Sequence, residues 1–438
     1  MNAYSWKEHK NIPFIHVEKH DRPIIDFYIA FNIDDLQIKN KSVLYLLSQM
    51  LLRGTARFDK TSFNEKIDSM GASLSISVGN HSIALEGEVL SKNYFNLLDL
   101  CLSALSEPLL SEYEFKKLLS ETKSKLKQSS ESDASLAKKG FLSLVYTDHP
   151  YADQAWGTLE SLEQVNISDI KENYKNFISQ LSITFGFSGD VEQSSIHKTI
   201  DLFSQNLNVQ SFWEIPEKKI PHHYSNEKKL LVIDKPNRSQ CHFFIGHPCF
   251  NYQHPDYYAL KTFMMAFAGG IFQAKYMQEI RVKRGWAYGA YGSLSLHRDL
   301  GSLFLYTYPE EKDTIDAIKL SLELMQQAID GDLLADTDIE FAKNYMMKSF
   351  PFKIDTPQKI MSEMLYHKML NLDENRLFTY RDKIKALSIK EIRSAAKKHI
   401  HIDQFSISLL ATSENIKNNL DNHFKDWNII EKNYLDIL

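Results

Sequence analysis

Apolar positions along the chain follow two periods, and the switches between them mark out the elements. Alternating or continuous apolar runs at Pro13–Val17 and Ile24–Phe31, separated by Asp21-Arg22-Pro23, predict two strands. Ser42–Leu52 reads as an apolar helix ending before Arg53-Gly54-Thr55, and Thr61–Met70 as an amphipathic one stopped by Gly71. Ala72–Val78 and His81–Glu88 alternate around Gly79-Asn80, a hairpin signal. Leu90–Leu105 is helical. Ser111 with Glu114 reads as a capping box for a helix burying Phe115, Leu118, Leu119 and Leu126. Asp148-His149-Pro150-Tyr151 marks a loop, Ser168–Phe177 a helix, and Leu181–Phe187 a strand closed by Ser188-Gly189-Asp190.

Residues 209–228 carry Pro216, Pro221 and mixed charge without periodicity, which predicts a linker. Beyond it come strands at Leu230–Ile233 and Cys241–Ile245 and a helix over Tyr257–Phe267, with Leu260, Phe263, Met264 and Phe267 on one face. A second helix over Phe272–Ile280 precedes a strand at Tyr288–Leu296. Helices over Thr314–Asp330 and around Glu340–Phe350 follow. Three short matches relate the halves in the same order. Ser73-Leu74-Ser75 recurs as Ser293-Leu294-Ser295, Glu114-Phe115 as Glu340-Phe341, and Asp169-Ile170 as Glu391-Ile392, at offsets of 220, 226 and 222. The expectation is an α+β chain of two homologous domains, 1–208 and 229–438, each a mainly antiparallel sheet packed with helices.

Composition narrows the function. The 438 residues are 43% hydrophobic and 12% aromatic, with a net charge of −5 and no basic stripe, so nucleic acid is not expected as a partner. No apolar run approaches the length of a membrane span. Met1-Asn2-Ala3-Tyr4 runs straight into a strand pattern rather than a leader. That implies the cytoplasm, or the bacterial periplasm if a signal peptide has been removed. Cys101, Cys241 and Cys249 form no disulfide framework. Cys241, His247 and Cys249 share strand parity while His242 does not, and no metal is expected there. His399-Ile400-His401 has same-face strand spacing without an evident carboxylate or thiol partner, and His222-His223 falls in the linker. All four read as surface or structural residues.

The run Arg281-Val282-Lys283-Arg284-Gly285-Trp286-Ala287-Tyr288 leads from helix to strand. It places a guanidinium, with five donors in a fixed fork, seven residues from a phenol. Folded across the turn, the two would hold the carbonyls of an extended chain. Without context, Arg281 is a helix-end cation and Tyr288 a half-buried strand residue. Context comes from four matches: the helix into Leu52-Arg53-Gly54-Thr55, Asp148-His149-Pro150-Tyr151 through Trp156-Gly157-Thr158, Ser188-Gly189-Asp190, and Gly269-Gly270 through Tyr288. With these, the whole chain resembles the insulinase-like (pitrilysin) zinc peptidases. The resemblance implies that Arg281 and Tyr288 grip the substrate chain and support the reacting carbonyl.

The same resemblance implies an H-x-x-E-H zinc motif on the first domain's helix, with a further Glu on a later one. Aligned on Arg53-Gly54-Thr55, that motif falls on Tyr45-Leu46-Leu47-Ser48-Gln49, and the later position near Ser124-Lys125. Tyr45 and Gln49 replace imidazoles and Ser48 replaces the base, which a serine hydroxyl cannot be near neutral pH. Neither H-x-x-E-H nor H-E-x-x-H occurs elsewhere.

The expectation is a non-catalytic, peptide-binding subunit of a two-chain metallopeptidase. It carries no cofactor itself, and zinc is expected in a homologous partner chain that works with it on unfolded peptide. One alternative is an inert scaffold subunit of a larger assembly, of the respiratory-chain core-protein type. A weaker one is a self-sufficient peptidase with unusual metal ligands.

Overall fold

The computed structural model describes residues 4–437 other than 35, 37, 39, 180 and 212–226. Most of the expected linker, with His222-His223, therefore lies outside the described residues.

The chain forms two compact units, and each draws on both halves of the sequence. The first comprises 1–126, 154–218 and 351–378, and the second 127–153, 219–350 and 379–438.

The first unit's sheet contains β1 (Trp6–His9), β2 (Ile12–Glu18), β3 (Ile24–Asn32), β4 (Ser73–Val78), β5 (Ser82–Leu90), β6 (Leu181–Gly189) and the short β7 (Val209–Ser211). The order is β1-β2-β6-β3-β5-β4, with β7 beside the start of β6. The second unit's sheet contains β8 (Lys229–Asp234), β9 (His242–Cys249), β10 (Ala290–Leu296), β11 (Gly301–Thr307), β12 (Ser406–Ala411) and β13 (Asn428–Asn433), in the order β10-β11-β9-β12-β8-β13.

Five strands of each sheet correspond one to one. In both, the edge hairpin is antiparallel (β4–β5, β10–β11), and the next two pairings are antiparallel. The fourth pairing is parallel (β6–β2, β12–β8). The sheets differ at the far edge, where β1 precedes its neighbour in sequence and β13 follows it. The Ser-Leu-Ser repeat marks the free edge strand in each case, Ser73–Ser75 on β4 and Ser293–Ser295 on β10. The α+β class and the two homologous, mainly antiparallel sheets are thus present.

One face of each sheet carries the helices nearest in sequence. In the first unit Leu46, Leu47 and Met50 of the Lys41–Leu51 helix join Phe27, Phe31 and Phe185 in the core. The opposite face is covered by a helix from the other half of the chain. Pro357–Met369 packs on β2 and β6, with Met361 and Leu365 against Gly186, where a side chain would have no room. Asp133–Val145 packs on β8, β9 and β12. Phe141 stacks on Phe244 at 5.9 Å, and Gly140 sits so close to the sheet that a Cβ would lie 2.5 Å from the Ser408 hydroxyl. Strands covered on both faces are buried at consecutive positions rather than alternate ones, as in β2, β8 and β12.

Most expected elements recur with ends shifted by one or two residues. Three details differ. Leu90 ends a strand, and its helix begins at Tyr94 after a short 3₁₀ turn. Only half of the Ser111/Glu114 box forms: the Glu114 N–H donates to Ser111 Oγ at 3.2 Å, while its carboxylate turns to Arg53. The Phe272–Ile280 helix shortens to Lys275–Met277, followed by a π-helical turn over Gln278–Lys283.

Candidate functional site

The Arg281 loop is built by backbone chemistry at its two ends. Helix Tyr257–Ala268 stops at Gly269-Gly270, where Gly270 takes φ +74°. The widened π turn then swings Arg281 to the surface, and Gly285 at φ +67° reverses the chain. Tyr288 lies in a bend two residues before β10, not on the strand as the sequence suggested. There it escapes the sheet's packing and is 75% exposed.

The turn brings the expected pair together. The Arg281 guanidinium lies 4.3 Å from the centre of the Tyr288 ring and 5.7 Å from that of Phe272, a geometry favoured by the ring quadrupole. The other two cations of the run are engaged. Lys283 Nζ donates to Glu279 at 2.5 Å, and Arg284 Nη1 donates to the same carboxylate at 2.8 Å and to the Glu279 carbonyl at 3.0 Å. Burial pushes the Glu279 carboxyl up, but these two cations more than offset it and hold it below the usual range. Among the described residues, the Arg281 guanidinium and the Tyr288 hydroxyl have no hydrogen-bond or ion-pair partner. The loop thus presents a stack-held donor fork and a phenol beside β10, whose outer edge is unpaired among the described strands.

Tyr45, Ser48 and Gln49 share one face of helix Lys41–Leu51, but each is committed to internal contacts. The Tyr45 ring meets Trp156 edge-on at 6.2 Å. Burial pushes its phenol up, away from the ionised form that binds metals, although the Thr122 hydroxyl and the Arg53 charge pull the other way. Ser48 Oγ donates to the Tyr45 carbonyl at 2.7 Å, and the Gln49 amide donates to the Ile76 carbonyl of β4 at 3.2 Å. Thr122, rather than the exposed Ser124 and Lys125, is the residue of helix Glu112–Ser129 that faces Tyr45. This donor set does not fit a zinc ion.

Beside it lies an ion-pair cluster that the sequence did not announce. Arg53 binds Glu114 at 3.0 Å and makes a short bond to Glu121, while Lys60 stands 3.6 Å from Glu114. It joins the end of the Lys41–Leu51 helix to the Glu112–Ser129 helix. Arg53 was legible only as part of a motif, and Glu114 only as a cap and a repeat position.

The histidines and cysteines of the second unit also resolve. Cys241 and Cys249 are buried, which pushes their thiols up to about 11 and about 12. His247 is buried and satisfied: Nδ1 lies 2.5 Å from the Pro248 carbonyl, and Nε2 accepts from the His401 N–H at 3.3 Å. His399 ends a helix, Ile389–His399, rather than lying on a strand. It does have a carboxylate partner, Asp256, at 2.6 Å. Their separation of 143 positions hid that contact from the sequence.

The relatives agree with this architecture. Residues 38–158 match the insulinase (peptidase family M16) model, and residues 164–346 match the model described as peptidase M16 inactive domain. A Helicobacter pylori protein named non-peptidase homolog YmxG is 21% identical over 93% of each chain. A Bacillus subtilis protein named uncharacterized zinc protease YmxG is 18% identical over 85% of this chain and 89% of its own length. Among solved structures, a peptidase M16 inactive domain from Pseudomonas fluorescens superposes with a TM-score of 0.82. It is 18% identical and covers 93% of this chain and 97% of its own. A structure described as a protease from Helicobacter pylori gives 0.79 at 14% identity, over 94% and 100%. With both family models matching in succession along the chain, it belongs to the insulinase (M16) peptidase family.

Proposed function

We propose that this chain is a non-catalytic, peptide-holding subunit that works with a separate, zinc-bearing member of the same family. The observation that carries the reading is the contrast between the two candidate surfaces. On one, the side chains of Tyr45, Ser48 and Gln49 are turned to internal contacts. On the other, Arg281 is held open by stacking while Lys283 and Arg284 are drawn to Glu279. A fork of unpaired donors beside an open strand edge suits main-chain carbonyls, and recognition through the main chain tolerates many side chains. Donors aimed at a carbonyl also stabilise the negative charge that develops on it during attack. The metal chemistry belongs to the partner.

Affinity capture from the native host, followed by peptidase assays on an unfolded peptide, tests this. The reading expects an H-x-x-E-H chain to co-purify and the pair to cleave peptide when this chain alone does not. Chelator-sensitive cleavage by this chain alone would overturn it. So would capture of an assembly with no such homologue.

A further inference from the structure

We infer that His254, Asp256 and His399 form a binding site for a divalent cation of the zinc–nickel class, separate from the Tyr45–Gln49 region and independent of the peptide-holding role. Each residue offers one ligand atom, and those atoms all lie within 4.8 Å of one another. Tetrahedral coordination at about 2.0–2.1 Å separates neighbouring ligands by roughly 3.4 Å. Small side-chain rotations therefore bring the three onto one ion. Two imidazoles and one carboxylate suit zinc and nickel better than calcium or magnesium, which prefer oxygen alone.

Three features set this cluster apart from an ordinary surface ion pair. Asp256 occupies the N-cap of helix Tyr257–Ala268, yet its carboxylate makes no capping bond and turns to His399. An aspartate at that position ordinarily accepts from the first turn of its own helix. Both imidazoles are also held in place: His254 stacks on Phe250 at 4.2 Å, and His399 meets Phe250 edge-on at 4.9 Å. Finally, the Asp256 N–H donates to His254 Nδ1 at 3.1 Å, which fixes that ring beside the carboxylate.

The remaining coordination positions would be taken by water. His399 also lines a groove of about 300 Å³, with His247, Cys249, Phe250, His401 and Gln404, which gives solvent a route in. The opposing feature is Lys398, whose Nζ lies 3.0 Å from the Asp256 carboxylate. That side chain is 63% exposed on a flexible stem, so it can withdraw. Bound, the ion would fasten the first turn of helix Tyr257–Ala268 to the last residue of helix Ile389–His399.

The test is isothermal titration of ZnCl₂ and NiCl₂ into the chelator-treated full chain at pH 7.5, with bound metal counted after dialysis. We expect one ion per chain with micromolar affinity, weakened at least tenfold in Asp256→Asn and in His254→Ala, and unchanged in the surface control His423→Ala. Lys398→Ala removes the competing cation without touching a ligand, and is expected to tighten binding several-fold. Circular dichroism establishes that each variant is folded. If Asp256→Asn disturbs the helix, His254→Ala and Lys398→Ala decide the matter. Absence of stoichiometric binding overturns the site. Binding that none of these changes alters means adventitious surface histidines, and overturns it equally.

Discussion

Arg53→Met removes the hub of the cluster that joins the Lys41–Leu51 and Glu112–Ser129 helices, and its cost follows from what remains. Arg53 and Glu114 are each 11% exposed at the side chain, whereas Glu121 is 37% exposed. Breaking a buried pair by deleting one partner costs about 3–5 kcal/mol, because a charge is left buried without compensation. Lys60, at 3.6 Å, compensates part of the Glu114 charge, and Glu121 can regain water. We therefore expect a loss of about 2–3 kcal/mol. For a unit of about 220 residues, that is roughly 5–10 °C in the first unit's melting transition.

Scanning calorimetry reads this directly, with the second unit's transition as an internal reference. Adding Glu114→Gln should recover more than half of the loss, since a neutral amide leaves no stranded charge. The pH dependence has a fixed sign. Burial pushes the Glu121 carboxyl up, but Arg53 more than offsets it, leaving it below its unfolded value. Its contribution is present above about pH 4.3 and disappears as pH falls through the folded value. The gap between wild type and Arg53→Met should narrow below that pH. A first-unit transition within 1 °C of wild type at neutral pH would refute the assignment.

Other consequences concern the second unit. Burial holds His247 down to about 4, so the unfolded chain takes up a proton that the folded chain refuses between pH 6.5 and 4. Stability should fall across that window by up to about 1.4 kcal/mol per pH unit, and His247→Gln should flatten the fall relative to wild type in pH-resolved urea titrations. Gly140→Val forces a side chain into the Ser408 hydroxyl and the Ile233 methyl, at 2.5 and 2.7 Å from its Cβ. It should cost about 1–3 kcal/mol in the second unit's transition despite the usual penalty for glycine in a helix. Lys235 is buried and binds both the Ser130 carbonyl and Asp133 at 2.7 Å, anchoring the start of helix Asp133–Val145. Lys235→Ala should destabilise that unit by about 2–3 kcal/mol, at or just below the lower end of the range for a broken buried pair, since Arg238 still faces Asp133 at 3.3 Å.

What the sequence displayed was local, and what it concealed was long-range. Helices such as Thr314–Asp330, and the β4–β5 hairpin, follow from periodicity and turn residues that act over a few positions. The repeat was visible because the Ser-Leu-Ser edge strands and the helix-to-strand steps at Asp169 and Glu391 preserve the same local chemistry. The crossed helices were not. Asp133–Val145 carries Gly140 at its contact face, and Pro357–Met369 buries a narrow stripe around Met361, Met364 and Leu365. Neither shows the broad apolar face of a helix that covers a core alone, so neither declared where it would dock. At the candidate site, the pairing of Arg281 with Tyr288 could be read from spacing. Its release from competition could not, because that depends on Glu279 taking Lys283 and Arg284 instead.

The most direct measurement is kcat/KM for an unfolded peptide by the reconstituted pair carrying Arg281→Ala and Tyr288→Phe, with assembly followed in parallel by light scattering. Losing donors that act on a developing oxyanion costs about 10²–10³ in rate, and the account predicts a fall of that size with assembly intact. Activity within twofold of wild type in a fully assembled pair would contradict it.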